Sequence, residues 1–441
     1  MIALFAAAAT AKSTAVIDGN YTIEYGIDVP VGLTSLSINT GRTLALANGR
    51  SSLLTANSSI GQTAFSVTDG TKFRVGEWVI VSDSNEIVQG GGSQTRKDGI
   101  SGIVTNIAAN VVTIDNAATK AMTVAATATM ASYSGLLYFA GRISVTGPGT
   151  FDGNRAGQYD AHPYMNSGAE PTGPGSTLTF DIANNFLLSR TNILGGILHG
   201  VIVKTVTGGT MSDCTVSSAH DKNILVRGSV GTAFTNLTIS DSKFEDGLIC
   251  YASNANITLT NITATNCNRF GVSLSSSDTG AVVRDVVATS CSKGFADGSV
   301  GAVVSNITVT GCGTGQGGLV GGFGFELYGN GTGGSFTGLT VSGVSTFTSA
   351  ALGFVAGTNY SVNGVTLTKG VGSGATISAI RFLDTATANC SVINANNTDW
   401  RWGVRGEVAG VTNCLTSGSD VGSVTDTLNV TGVNVTGMVF T

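Results

Sequence analysis

From about residue 135 onward, short bursts of alternating apolar and polar positions recur at a nearly constant interval. One series reads HGVIV (199–203), KNILV (222–226), DGLIC (246–250), FGVSL (270–274) and KGFAD (293–297), and continues less evenly as FGFEL (323–327), LGFVA (352–356), SAIRF (378–382) and WGVRG (402–406). Its glycine position falls at 200, 223, 247, 271 and 294, with Asn at 223, so the intervals are 23, 24, 24 and 23 residues. A second series keeps the same period: MSDCTV (211–216), FTNLTI (234–239), LTNITA (259–264), VRDVVA (283–288), VSNITV (304–309), FTGLTV (336–341) and VNGVTL (362–367). Its third position holds Asp213, Asn236, Asn261, Asp285, Asn306, Gly338 and Gly364. These residue types tolerate the left-handed conformation of a tight bend between strands. Stacked Asn side chains also bond along a column, as in cross-β ladders.

Period-2 alternation, β-branched enrichment and the lack of a helical period make these segments strands. Two or three short strands per turn of about 24 residues, held in register, predict an all-β chain wound as a parallel β-helix with coils about 4.8 Å apart. An evenly spaced β-sandwich is the competing reading, but its strands alternate direction and would not keep columns of like residues. Residues 135–154 and 177–194 read as the first full coils, separated by a proline-containing excursion. The expected organisation is opening strands or a cap over 1–59, a small antiparallel β insert over 60–130, the β-helix over 131–408, and a last coil, cap or oligomer contact over 409–441. The apolar start, MIALFAAAATAKSTA, lacks the positive flank of a leader and reads as an opening strand or short cap.

Composition narrows the function classes. Only 11% of residues are charged, against about 25% in average proteins. An apolar fraction of 42% excludes a disordered chain, and a net charge of −5 excludes a protein built around nucleic acid. No apolar run reaches the roughly 20 residues of a spanning helix, so no membrane insertion is expected. Seven cysteines, an odd number, argue against a complete disulfide framework. Cys267, Cys291 and Cys312, 24 and 21 residues apart, sample one repeat position and predict a stack of buried thiols.

Residues 135–406 resemble the pectin-lyase-like superfamily of right-handed β-helices. The stretch GTFDGN (149–154) is similar to a G-T-I-D-G-N turn common there. The segment IDGNYTIEYGIDVPVG (17–32) resembles the start of phage tailspike-type members, and VTDGTKFRVGEWVIV (67–81) resembles small inserts in such spikes. The resemblance implies a right-handed solenoid, an extracellular or virion location, and three-fold assembly. It leaves chemistry open, because the superfamily holds hydrolases, lyases, epimerases and inactive binders. Polygalacturonases carry a Gly-His-Gly and a paired-Asp motif; the nearest matches are LHG (198–200) and EDG (245–247), and the remaining elements do not match in order.

In a chain so poor in charge, His199, His220, Asp221, Lys222, Glu245, Asp246 and Arg269 fall on four consecutive repeats. Glycoside hydrolysis needs two carboxyls, and Asp221 against Glu245 or Asp246, one rung apart at about 5 Å, would suit a retaining geometry. Elimination needs a base and a cation for a uronate, roles open to His199, Lys222 and Arg269. The opposing reading is a row of solvated turn positions. Candidate sugar contacts are Lys222, Lys204, Arg227 and Tyr251 along the same strands, His162 (with Tyr164) in the excursion, and Trp400 and Trp402 in DWRWGVRGE (399–407). Ile202, Leu225 and Ile249 form an outward aliphatic column that a loop or a second subunit would cover, which favours a homotrimer. The expectation is a tailspike-like protein, attached to a phage tail, that binds and cleaves a polysaccharide, by hydrolysis or elimination, with no cofactor and no metal. The alternatives are a non-catalytic receptor-binding or structural spike, or a secreted microbial lyase.

Overall fold

The structure, a computed structural model, describes residues 1–88, 95–158, 175–312, 323–329, 331–344, 350–369, 378–382, 390–398, 402–406, 414–420 and 433–436. The chain is a right-handed β-solenoid of about 13 turns with about 24 residues per coil. It divides into two compact units: 1–181 with 190–202 and 216–223, and 182–189 with 203–215 and 224–441.

In the first unit the opening segment is a helix, Ile2–Ala11, where the sequence suggested a strand or cap. Alanine-rich composition favours helix. Lys12 ends it in the left-handed conformation, with its N–H and that of Ser13 returning to Ala9 and Ala8 carbonyls. Phe5 and Ala8 are its buried side chains. Parallel strands follow: Ala15–Ile17, Ser35–Ile38 and Ser144–Thr146 pair in one ladder, and Ile27–Val29, Leu137–Phe139 and Leu178–Asp181 in another. Within this unit an antiparallel set has the spatial order Ser51–Leu53, Thr129–Ser132, Trp78–Val88, Thr95–Ala108, Val111–Ile114 and Ala64–Ser66, and a Leu54–Val67 bridge joins its first and last strands. Phe65, Phe73, Val79, Val81, Ile100, Val112 and Met130 form its own core.

The second unit shows the two sequence series as two parallel ladders. The shorter strands Ile224–Arg227, Leu248–Tyr251, Phe270–Leu274, Lys293–Asp297, Phe325–Leu327, Ala350–Phe354, Ser378–Phe382 and Trp402–Gly406 pair successively. The longer ladder runs from Phe186–Ser189 through Val230–Ser240, Thr258–Thr265, Val282–Thr289 and Val303–Thr310 to Cys414–Asp420 and Val433–Thr436. Constant register turns each inward position into a buried column, such as Phe234, Leu259, Val283, Val304, Phe336, Val362 and Val392. Aromatic rings stack within columns: Phe295 on Phe325 at 4.9 Å and Phe354 on Phe382 at 4.6 Å between centroids.

The bend of the longer ladder falls where expected. Asp213, Asn236, Asn261, Asp285 and Asn306 all have φ between 54° and 56°, and glycine takes over at 338 and 364. Asn236 donates to Asp213 at 2.8 Å, Asn261 to Asn236 at 2.9 Å, and Asn306 to Asp285 at 3.0 Å. The glycine column is tight. A Cβ on Gly247 would lie 2.5 Å from the Gly271 carbonyl oxygen, and one on Gly271 2.6 Å from that of Gly294. Within the first unit, Gly200 and Val201 donate to the carbonyls of Lys222 and Asn223.

Cys267, Cys291 and Cys312 are buried free thiols, and the Cys291 N–H points to Cys312 Sγ at 3.4 Å. One premise fails: Leu225 and Ile249 are buried within the chain and Ile202 is half-buried, so this column gives no ground for a trimer. In native protein these three cysteines should resist a thiol reagent until denaturant is added, and fast native labelling would contradict the stack. Phe295→Ala should cost about 3–5 kcal/mol in chemical denaturation, whereas Thr263→Ala on the outward side of the same unit should stay within about 0.5 kcal/mol.

Candidate functional site

The sequence-nominated charges lie in both units, and each group is organised by the turn that precedes a short strand. In the first unit, the His220 and Asp221 N–H groups donate to the carbonyls of Gly196 and Leu198, at 3.2 and 2.7 Å. Arg155 ties this turn down by donating from Nη1 to the Ser218 carbonyl at 2.8 Å. Gly196 is required: a Cβ there would lie 1.8 Å from the His199 carbonyl oxygen. The turn brings Lys222 Nζ to 2.8 Å and His199 Nδ1 to 3.8 Å from the same Asp221 oxygen. The Lys222 backbone N–H also points to His199 Nδ1 at 3.4 Å.

All four of these residues, His199, His220, Asp221 and Lys222, are buried. The turn charges expected to be exposed in this unit are buried and paired instead.

In the second unit, Glu245 and Asp246 precede strand Leu248–Tyr251, and Arg269 precedes Phe270 on the next coil. The Arg269 N–H donates to the Glu245 carbonyl at 3.0 Å, and Asp246 Oδ1 accepts from the Phe270 N–H at 3.1 Å. Backbone pairing thereby places one guanidinium against two carboxylates. Arg269 Nη1 lies 3.8 Å from Glu245 Oε2 and 3.9 Å from Asp246 Oδ2. The guanidinium also stacks over Phe270, 4.8 Å from its centroid. Glu245 and Asp246 are buried, contrary to the surface position expected of them, while the Arg269 side chain keeps 34% of its exposure.

This group extends further than the sequence indicated. Lys293, in register with Phe270, forms a buried ion pair with Glu326 and lies 5.3 Å from the Phe270 ring centre. Tyr328 stacks on Phe270 at 6.4 Å, donates to the Leu274 carbonyl at 3.0 Å and lies 3.3 Å from Ser273 Oγ. Burial pushes the Tyr328 hydroxyl above its ordinary value, so it acts as a neutral donor. Glu326 escaped notice because it follows the stretched interval of the first series. The signal was an acid at the outward position where the two preceding coils carry Ser273 and Ala296.

The proposed sugar contacts divide. Lys204, Arg227 and Tyr251 are exposed; Arg227 is in register with Tyr251, and the Thr205 N–H donates to the Arg227 carbonyl. Of Trp402 the strand position alone is described, in register with Ser378. His162 and Trp400 lie outside the described residues. Among the described residues no group of three or more His, Cys, Asp or Glu is arranged to hold a metal ion.

A family model described as a right-handed β-helix region matches residues 181–345. No curated protein matches the sequence. Among solved structures, the N-terminal fragment of gene product 12 of bacteriophage Phi29 aligns with 95% of this chain and 64% of its own, at 12% identity and a TM-score of 0.59. The A-module of the mannuronan C-5 epimerase AlgE6 of Azotobacter vinelandii aligns over 94% of both chains, at 11% identity and a TM-score of 0.58. The tailspike gp61 of Pseudomonas phage phi297 aligns with 98% of this chain and 76% of its own, at 9% identity and a TM-score of 0.50. At these identities the likeness is one of fold.

The Lys293–Glu326 pair gives a stability test. Lys293→Met leaves a buried glutamate without its cation and should cost about 3–5 kcal/mol, whereas Lys293→Met with Glu326→Leu should recover most of it. Equal destabilisation by the single and double variants in denaturant titrations would contradict a coupled buried pair.

Proposed function

We propose that the protein binds a polysaccharide and cleaves it at the charged group of the second unit. The observation that carries this reading is the half-exposed Arg269, held on an aromatic ring between Glu245 and Asp246. A guanidinium supported in this way can take the carboxylate of an acidic sugar or hold a hydroxyl. The two adjoining carboxyls supply the acid and base that hydrolysis requires, or one of them serves as the base for elimination. The exposed Lys204, Arg227 and Tyr251 supply charge and a ring face for further sugar units. Asp221, His199, His220 and Lys222 form a separate candidate group in the first unit.

The likeness in fold to a phage tailspike and to a mannuronan epimerase module supports a glycan as the ligand class. In this reading the protein works outside the cell or on a virion, as a homotrimer attached to a phage tail. A non-catalytic spike is the second reading, and the burial of Glu245 and Asp246 favours it.

Incubation with a panel of bacterial polysaccharides separates the two. New reducing ends with at least one polymer are the expected result, and absorbance of an unsaturated uronate would identify elimination. Glu245→Gln or Asp246→Asn should lower turnover by about two orders of magnitude or more, with binding retained. Binding without any cleavage across the panel would establish the spike reading. Full turnover in the double amide variant would remove these carboxyls from the chemistry.

A further inference from the structure

Among the described residues, one inward column of the shorter ladder is apolar except for a single acid. Val226, Cys250, Leu274, Asp297, Leu327, Phe354 and Phe382 follow one another in register along the shorter ladder. Asp297 is fully buried at the end of strand Lys293–Asp297. Its Oδ1 accepts from Ser299 Oγ at 2.6 Å and from the Ser299 N–H at 3.2 Å. Its Oδ2 is buried without a hydrogen-bond partner.

A polar column borders this position. Thr279 bridges Val300, which sets Asp278 one coil before Ser299. The Asp278 carboxylate is saturated: Oδ1 accepts from the Asn254 N–H and Nδ2, both at 2.9 Å, and Oδ2 from the Ser275 N–H at 2.8 Å and Oγ at 3.2 Å. The column then turns to glycine at 331 and 357, and the Tyr360 ring fills the space. A Cβ on Gly331 would lie 1.8 Å from Tyr360 Oη, which is itself buried without a partner. The titratable groups at this corner are Asp278, Asp297, Tyr328 and Tyr360, with Cys250 beside Asp278, Cys390 beside Tyr360, and Arg269 and Asp246 acting on Tyr328. Among the described residues no basic side chain acts on either carboxyl. Asp278 has four donors to stabilise an anion; Asp297 has one oxygen with none. An unpaired anion in such a site costs several kcal/mol, so Asp297 must take up a proton or a cation.

We propose that Asp297 is a proton-operated latch. As a neutral acid it lets strand Lys293–Asp297 pack in the core, and its ionisation loosens that strand together with the Lys293–Glu326 pair at the other end. Burial, and then the neighbouring Asp278, holds the Asp297 carboxyl up at about 7 against an ordinary 3.8. Between those values the native acid keeps a proton that the unfolded chain releases, so its contribution to stability falls as pH rises across that window. The native carboxyl itself ionises as pH passes about 7, where the loosening of the strand is complete. The latch stands apart from the glycan reading, since it concerns the interior of the solenoid.

Hydrogen exchange followed by mass spectrometry on the full chain, corrected for the intrinsic pH dependence of exchange, tests it. Peptides covering 293–299 and 323–328 should lose protection by about ten-fold per pH unit as pH rises from about 4 toward 7 and level off above it, while 258–265 holds. Asp297→Asn should abolish the loss. Ser299→Ala, which removes a donor that favours the anion, should move the pH at which the loss levels off upward. An unchanged pH profile in Asp297→Asn would overturn the latch. So would sodium or calcium chloride raising protection at neutral pH in the wild type and not in Asp297→Asn, because the carboxylate would then be held by a cation. If Asp297→Asn fails to fold, infrared spectra of the wild type decide. A carboxylic-acid carbonyl band should persist at mildly acidic pH, where ordinary carboxyls are ionised, and vanish above neutral; its absence would overturn the proposal.

Discussion

Backbone hydrogen bonds between successive coils, made in constant register, are the constraint on which the rest depends. Because each short strand pairs with its equivalent in the next coil, a residue stands directly over its counterpart about 4.8 Å away. A column must therefore suit itself. Asn stacks on Asn and Asp because an amide can donate to the oxygen below it, as Asn261 does to Asn236. Phe stacks on Phe, and glycine on glycine where carbonyls approach too closely for a Cβ. The same rule makes a lone charge costly, since no equivalent neighbour can neutralise it. Asp297 stands between Leu274 and Leu327 on those terms.

Register also explains why charge gathers where it does. The turns entering the short strands carry backbone groups that are already committed to neighbouring coils, and side chains there are drawn into fixed contacts. The Arg269 N–H is held by the Glu245 carbonyl and the Phe270 N–H by the Asp246 carboxylate, and the guanidinium, stacked on Phe270, meets both acids. A site of this kind is assembled by the ladder itself and would be sensitive to slips in pairing two or three coils away.

Much of the fold could be read in the sequence because two series with one period report one geometry. The Asn and Asp of the bend, the buried thiols and the glycine column all follow from that period. What could not be read is the direction taken by side chains in the turns. Charged residues beside a glycine look solvated in a sequence, yet Asp221, Lys222, Glu245 and Asp246 are buried, and their backbone and side chains are tied to neighbouring coils, as the Asp221 N–H is to the Leu198 carbonyl and the Asp246 carboxylate to the Phe270 N–H. The Leu225 and Ile249 column looked like an interface for the same reason and is covered within the chain. Glu326 was hidden by a longer coil that displaced it from the period, and the opening helix by an alanine run too short to show a helical face.

The proposed function places a glycan at the charged group around Arg269. A crystal structure of the Glu245→Gln variant soaked with oligosaccharides from a polymer that the protein binds would test it most directly. The account predicts sugar density against the Arg269 guanidinium, within hydrogen-bond reach of residues 245 and 246 and continuing toward Arg227 and Tyr251. Well-ordered sugar bound elsewhere on the solenoid, with Arg269 still closed on its two acids, would contradict it.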